Sequence, residues 1–256
     1  NDQIDTATSG KKAMVEMQFA DFVSCGFNQI ANNLAKTFYR WGQNSDVVIR
    51  MPTGGGAAAG PFHSQSNEAW FFHLPGLKIV YPSTPSDAKG LLLAAFEDPN
   101  PVLFFEHKGM YRSLREDVYV DEFTTEIGKA RWVQEGEEIT FITYGLGVQW
   151  CKEVVTEGDI DATIVDLRTL LPWDKDSVRK AVAKTGKVIV VHEDTLEGGI
   201  GGEIAAWIGE HCFTNLDAPV MRVGSLDTPI PFNADLEINF MGKSMLNDKV
   251  DKLLEW

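Results

Sequence analysis

Short apolar runs and amphipathic stretches alternate along almost the whole chain. "AMVEMQF" reads as a strand, and "VSCGFNQIANNLAKTFYRWG" carries apolar residues at helical spacing and stops at Gly42. "DVVIRM", "LKIVYP" and "VLFFEH" read as three further strands. Between the last two, "STPSDAKGLLLAAFEDPNP" has a marked helix start, with Thr84 as cap, Pro85 in the first helical position and Asp87 in the first turn. Between the first two lies "MPTGGGAAAGPFHSQSNEAWFFHLPG". It predicts a glycine-rich loop, a lone histidine at position 63, and an aromatic helix running from Ser64 or Ser66 to Pro75-Gly76.

A polar, irregular stretch over 112–128 interrupts this pattern, and a second alternation follows. The strands are "EITFITYG", "ATIVDLR", "KVIVVHED" and "PVMRVG"; the helices are "VQWCKEVVTEG", "DKDSVRKAVAKTG", "GGEIAAWIGEHCF" and "SMLNDKVDKLLEW". Short, nearly continuous apolar strands separated by helices predict parallel sheets buried on both faces. The expected organisation is two α/β domains, 12–115 and 129–256, joined by a linker at 116–128. Residues 1–11 are polar and aperiodic, a disordered or truncated start.

Composition narrows the partners. Of 256 residues 44% are apolar, enough for a real core and too many for a disordered chain. A formal charge of −14 excludes nucleic acid as a partner class, because phosphate binding needs surplus Lys and Arg. It suits a solvated surface or a basic protein partner. Cys25, Cys151 and Cys212 are scattered, which argues against a disulfide framework or a structural zinc site and fits a reducing compartment. No apolar run approaches the length that spans a bilayer, so no membrane association is expected.

Candidate chemistry centres on the loop and its histidine. Gly54, Gly56 and Ala59 satisfy a loose G-x-G-x-x-A pattern, but Gly60-Pro61-Phe62 intervenes before any helix and no G-K-[ST] follows. The pattern favours a packed or mobile turn over a phosphate cradle. His63 follows a parallel strand, at the edge where open α/β sheets place ligand sites. Proton transfer and a structural role both stay open for it. His73 suits a helix C-terminus. His107 and His192 end strands, the latter in a glycine-rich turn. In "FEDPNP", Asp98, Asn100 and neighbouring carbonyls could hold a hard cation or merely stop a helix through Asx turns. There is no G-x-S-x-G elbow, H-E-x-x-H or paired-cysteine site.

Several long blocks, "EMQFADF", "NQIANNLAK", "GPFHSQSNEAWFFHLPGLKIVYPSTPSDAKGLLLAAFEDPNPVLFFEHKGMYR" and "DLRTLLPWDKDSVRKAVAKTGKVIVVHED", resemble the beta subunit of the 2-oxo acid dehydrogenase complexes in the same order. The resemblance runs from about Lys12 to the C-terminus. It implies a pyrimidine-binding domain of transketolase type followed by a transketolase C-terminal-like domain. It implies thiamine diphosphate as cofactor, with diphosphate and magnesium on an alpha partner. It also implies decarboxylation of a pyruvate-type or branched-chain 2-oxo acid and acylation of the lipoyl group of an acyltransferase. A beta–beta dimer within a heterotetramer and a bacterial cytoplasmic setting follow from it. His63 in "FHSQS" then lines the active site and handles protons during transfer to lipoamide, while Gln18 and Phe22 in "QFADF" lie near the aminopyrimidine. Relatives more often carry tyrosine where Phe22 stands, which keeps ring packing without a hydroxyl contact. "AFEDPN" matches a structural potassium site, with an Ala95 carbonyl beside Asp98 and Asn100. The family's activating glutamate matches no residue here, as expected of a truncated subunit or of one part of a fused alpha–beta polypeptide. The alternatives are another transketolase-like thiamine enzyme, for ketol transfer or deoxyxylulose phosphate synthesis, and a non-catalytic dimerisation or docking fragment.

Overall fold

The structure, a computed structural model, describes residues 9–256. Of the expected disordered or truncated start, residues 1–8 lie outside this range. The first half opens with β1 (Ala13–Glu16) and a wound segment of 3-10 and π turns over 20–36, which ends in helix α1 (Thr37–Trp41). It continues through β2 (Val47–Thr53), α2 (Ala69–Phe72), β3 (Lys78–Val80), α3 (Pro85–Glu97), β4 (Val102–His107) and α4 (Met110–Ser113). The second half comprises β5 (Arg131–Gln134), β6 (Ile139–Thr143), α5 (Gly147–Gly158), β7 (Ala162–Asp166), β8 (Thr169–Leu171), α6 (Lys175–Thr185), β9 (Val188–Thr195), α7 (Gly201–His211), β10 (Met221–Ser225), α8 (Ala234–Phe240) and α9 (Lys243–Leu254).

Two five-stranded sheets result, ordered β1-β2-β4-β3-β8 and β10-β9-β6-β7-β5. Their interiors are parallel, as continuous apolar strands require when helices cover both faces. Each has one antiparallel edge that the simple alternation does not contain, β5 against β7 and β8 against β3. Strand β8 comes from the second half but completes the first sheet, with Leu171 opposite Ile79. The two halves also share one core, in which Tyr81 and Phe105 pack with Tyr144, Ile142 and Leu170.

Two local expectations meet competing physics. The long helix expected over 23–42 is broken into short 3-10 and π turns, and where α1 begins the Thr37 hydroxyl bonds back to the Asn33 carbonyl at 2.8 Å. It ends at Gly42 in the left-handed region, φ +68°. The aromatic helix after His63 shrinks to the single turn α2. By contrast α3 starts as its sequence dictates: the Thr84 hydroxyl accepts from the Asp87 amide at 3.2 Å, with Pro85 next. Part of the polar stretch before β5 lies against α3. Lys89 Nζ donates to the carbonyls of Tyr119, Val120 and Asp121, and the Thr125 amide donates to the Gly90 carbonyl.

Candidate active site

The carboxyl ends of the central strands carry the polar chemistry. In the first sheet β2 ends at Thr53, level with His107 at the end of β4. In the second, β9 ends in His192-Glu193-Asp194, all buried although most of the strand is apolar. Such residues stay buried only with partners, and those partners come from both halves.

The Glu193 carboxylate is the hub. Its Oε1 accepts from the Gly55 amide at 2.6 Å and from the Ser66 hydroxyl at 3.2 Å. Its Oε2 lies 2.6 Å from His107 Nε2, off the hydrogen-bond axis. The Gly109 amide donates to His107 Nδ1 at 3.2 Å, which places the ring proton on Nε2, facing the carboxylate. Burial works most strongly to raise the Glu193 pKa, but His107, the Gly55 amide and Ser66 outweigh it and hold the group below its ordinary value.

The glycine-rich loop is an amide nest filled from within. Gly54, Gly56 and Gly60 have φ of +91°, +89° and +70°, and Ala58 has +50°. These angles turn successive amides to one side. The amides of Gly56 and Ala58 donate to the two oxygens of Glu237, at 3.0 and 2.8 Å. The loop is therefore a packed turn whose anion is a carboxylate of the same chain. A Cβ on Gly54 would run into the His107 ring, so glycine is required there.

His63 stands just beyond this loop, partly exposed. Its ring lies edge-on to Phe19 and Phe22, centroids 5.8 and 5.6 Å apart with interplanar angles of 80° and 76°. Lys108 Nζ donates to the His63 carbonyl and sits 4.5 Å over the Phe19 ring. Burial lowers the Lys108 pKa, against the pull of Asp21, Glu193 and Glu237. Asp21 receives the Gln65 amide and side chain through Oδ1, while its buried Oδ2 has no hydrogen-bond partner. Phe22 is 44% exposed, a large aromatic face left open beside the imidazole, and Gln18 is exposed in the bend after β1. The fold thus brings Phe22 and His63 together from two segments, with Gln18 next in sequence to Phe19.

The "FEDPNP" residues lie elsewhere. They follow α3 and lead into the amino end of β4, whereas His63 follows the carboxyl end of the parallel neighbour β2. Asp98 Oδ2 pairs with Lys78, and Oδ1 accepts the Asn100 amide and side chain at 2.9 and 2.8 Å. Lys12 Nζ lies 3.3 Å from the Asp98 carbonyl. Both Asp98 carboxylate oxygens thus have partners, one of them an ammonium group, whereas Asn100 is engaged through its nitrogens. Only the Ala95 carbonyl in that expectation is independent of side chains.

The remaining histidines take quiet positions. His73 caps α2 and is exposed. Burial pushes His192 down to about 4, and its Nδ1 donates to the Asp194 carbonyl at 3.0 Å, the turn bond its glycine-rich context suggests. Behind them Glu68 is fully buried, with Oε1 accepting from the Tyr144 hydroxyl at 2.8 Å and Oε2 unpartnered. Burial, then the Asp194 charge, pushes Glu68 up to about 8. Sequence reasoning missed Glu68, Glu193 and Glu237. For Glu193 a signal existed, an acidic pair ending an apolar strand; for Glu237 there was none.

Comparison with known proteins agrees with this architecture. Residues 6–113 match the transketolase pyrimidine binding domain and residues 128–243 the transketolase C-terminal domain. The chain is 48% identical over 246 residues to the 2-oxoisovalerate dehydrogenase subunit beta of Bacillus subtilis, covering 93% of this chain and 75% of that one. It is 45% identical over 235 residues to the mitochondrial 2-oxoisovalerate dehydrogenase subunit beta 2 of Arabidopsis thaliana, covering 89% and 65%. To the pyruvate dehydrogenase E1 component subunit beta of Rhizobium meliloti it is 38% identical over 239 residues, covering 91% and 52%. The chain thus spans between half and three quarters of these relatives. A solved split-gene transketolase, an inactive beta4 tetramer, superposes with a TM-score of 0.78 at 23% identity, over 99% of this chain and 79% of that one, and so shares the fold.

Proposed function

The chain belongs to the beta subunits of the 2-oxo acid dehydrogenases, and from that premise we propose that it decarboxylates a branched-chain or pyruvate-type 2-oxo acid with an alpha partner and thiamine diphosphate. The acyl group passes reductively to the lipoyl arm of an acyltransferase. A bacterial cytoplasmic setting and a beta–beta contact within a heterotetramer belong to the same reading.

The observation that carries it is His63, held edge-on by Phe19 and Phe22 beside an open aromatic face. The residues present suit the ring end of thiamine diphosphate. Phe22 offers a flat apolar surface, Gln18 a hydrogen-bonding rim, and Asp21 an oxygen without a partner. The glycine loop does not suit the diphosphate end, because Glu237 and Glu193 already take its amides. That supports a diphosphate and magnesium held by the alpha partner. The chemistry thiamine diphosphate supplies when bound is an electron sink for loss of carbon dioxide. This chain's part is positional. Phe19 and Phe22 fix the plane of the imidazole, Lys108 anchors its main chain, and the imidazole holds or releases a proton as the acyl group leaves.

The test is His63→Ala in the complex reconstituted with its alpha partner. Lipoamide acylation is expected to fall far more than thiamine diphosphate affinity. Equal loss of both, or of neither, rejects the role. Turnover that depends on lipoamide also separates this reading from sugar-phosphate ketol transfer and from a docking-only fragment.

A further inference from the structure

We propose that Glu237 is a positioning residue: its carboxylate, supplied by the second half of the chain, fills the amide nest of loop 54–60 and thereby fixes where His63 stands. The inference rests on the reading of His63 given above.

The loop contributes little to its own shape. Residues 54–60 are four glycines and three alanines, with no side chain that can bond. The backbone bonds at its ends run from the Gly54 amide to the Gln65 carbonyl, 3.3 Å, and from the His63 amide to the Gly60 carbonyl, 3.2 Å. Ala58 is held at φ +50°, which L-residues adopt only where the surroundings impose it. Glu237 imposes it. Its carboxyl group is buried, and both oxygens accept from the loop, one from Gly56 and one from Ala58. Among the described residues it forms no ion pair, so the amides are its main solvation.

The segment around Glu237 acts as a mould. A Cβ on Gly55 would stand 2.6 Å from Met241 and 2.8 Å from Ile230, and one on Gly60 would overlap the Phe232 ring. The Phe232 ring then meets Phe62, centroids 6.4 Å apart, one residue before His63. Helix α8 and the turn before it are thus continuous, through Glu237 and Phe232, with the residue at the cleft. A shift of α8 relative to the first half would be passed to the imidazole by the same contacts.

Glu237→Ala and Glu237→Gln chains, each reconstituted with the alpha partner, test this. Glutamine keeps the volume but turns an N–H₂ group toward amides that need an acceptor. In both variants kcat with lipoamide is expected to fall by about tenfold or more, with KM for the 2-oxo acid changed by less than about twofold. Hydrogen exchange on the same samples is expected to show residues 54–63 losing protection while β6, β7 and β9 keep theirs. Sodium acetate is expected to restore turnover and loop protection in Glu237→Ala but not in Glu237→Gln, where the space is filled; sodium chloride at equal ionic strength restores neither. Unchanged loop exchange overturns the proposal. So does loss of protection across the whole second half, or failure of both variants to fold, since the carboxylate would then hold the domain rather than the loop. His63→Ala serves as the control: if it keeps full lipoamide turnover, the reading of His63 fails, while the exchange data still decide whether Glu237 holds the loop.

Discussion

Replacing Glu68 by glutamine tests the electrostatics at the centre of the molecule. The Glu68 carboxyl is fully buried and pushed up to about 8, by burial first and the Asp194 charge second. In the unfolded chain it titrates near 4.5. Between these values the folded chain holds a proton that the unfolded chain has released, so stability falls as pH rises, by about 1.4 kcal/mol per pH unit. The contribution is present in full below 4.5 and is lost as pH rises toward about 8. Glutamine mimics the protonated acid and keeps an acceptor for the Tyr144 hydroxyl at 2.8 Å. Its amide N–H₂ takes the place of Oε2, which has no partner, so at pH 5.5 the variant should be less stable by roughly 1–2 kcal/mol. At pH 8.5 the order should reverse, because only the wild type then buries a charge at position 68, beside the carboxylate of Asp194. Asp194, itself pushed up to about 7 by burial and the Glu193 charge, leaves a residual slope in the variant. Urea unfolding followed from pH 5 to pH 9 reads this directly. A difference between the proteins that stays constant across the range would refute the assignment of a buried proton to Glu68.

Two further outcomes follow from packing. Gly54→Ala forces a side chain into the left-handed region and against the His107 ring, and should lower stability by roughly 2–4 kcal/mol, seen as a lower urea midpoint at unchanged slope. Cys25 is exposed whereas Cys151 and Cys212 are buried, with both buried thiols pushed above their ordinary pKa, chiefly by burial. A thiol reagent should therefore label one cysteine in the native chain and three after denaturation, counted by mass.

Much of the scaffold was legible in the pattern of residues. Apolar runs such as "VLFFEH" and "ATIVDLR" are buried strands because nothing else buries so many adjacent side chains. The start of α3 was legible because capping is local: Thr84, Pro85 and Asp87 act within one turn. The breaks in the segment 20–41 were harder to read, since apolar spacing records which face is buried and not whether a turn winds as α, 3-10 or π. Strand β8 was invisible as a member of the first sheet, because its partner β3 lies some ninety residues earlier and no local rule pairs them.

The sequence by itself determined the two α/β halves, the glycine loop as a turn rather than a phosphate cradle, and His63 at the edge where such sheets bind ligands, because each depends on residues close together in the chain. Only the tertiary structure decided what fills that loop and what surrounds that imidazole. Glu193 and Glu237 reach it from 138 and 181 residues away, and Phe22 meets His63 across a separate segment. A buried carboxylate must find donors wherever the fold brings them, and that choice is made by packing rather than by neighbours in sequence.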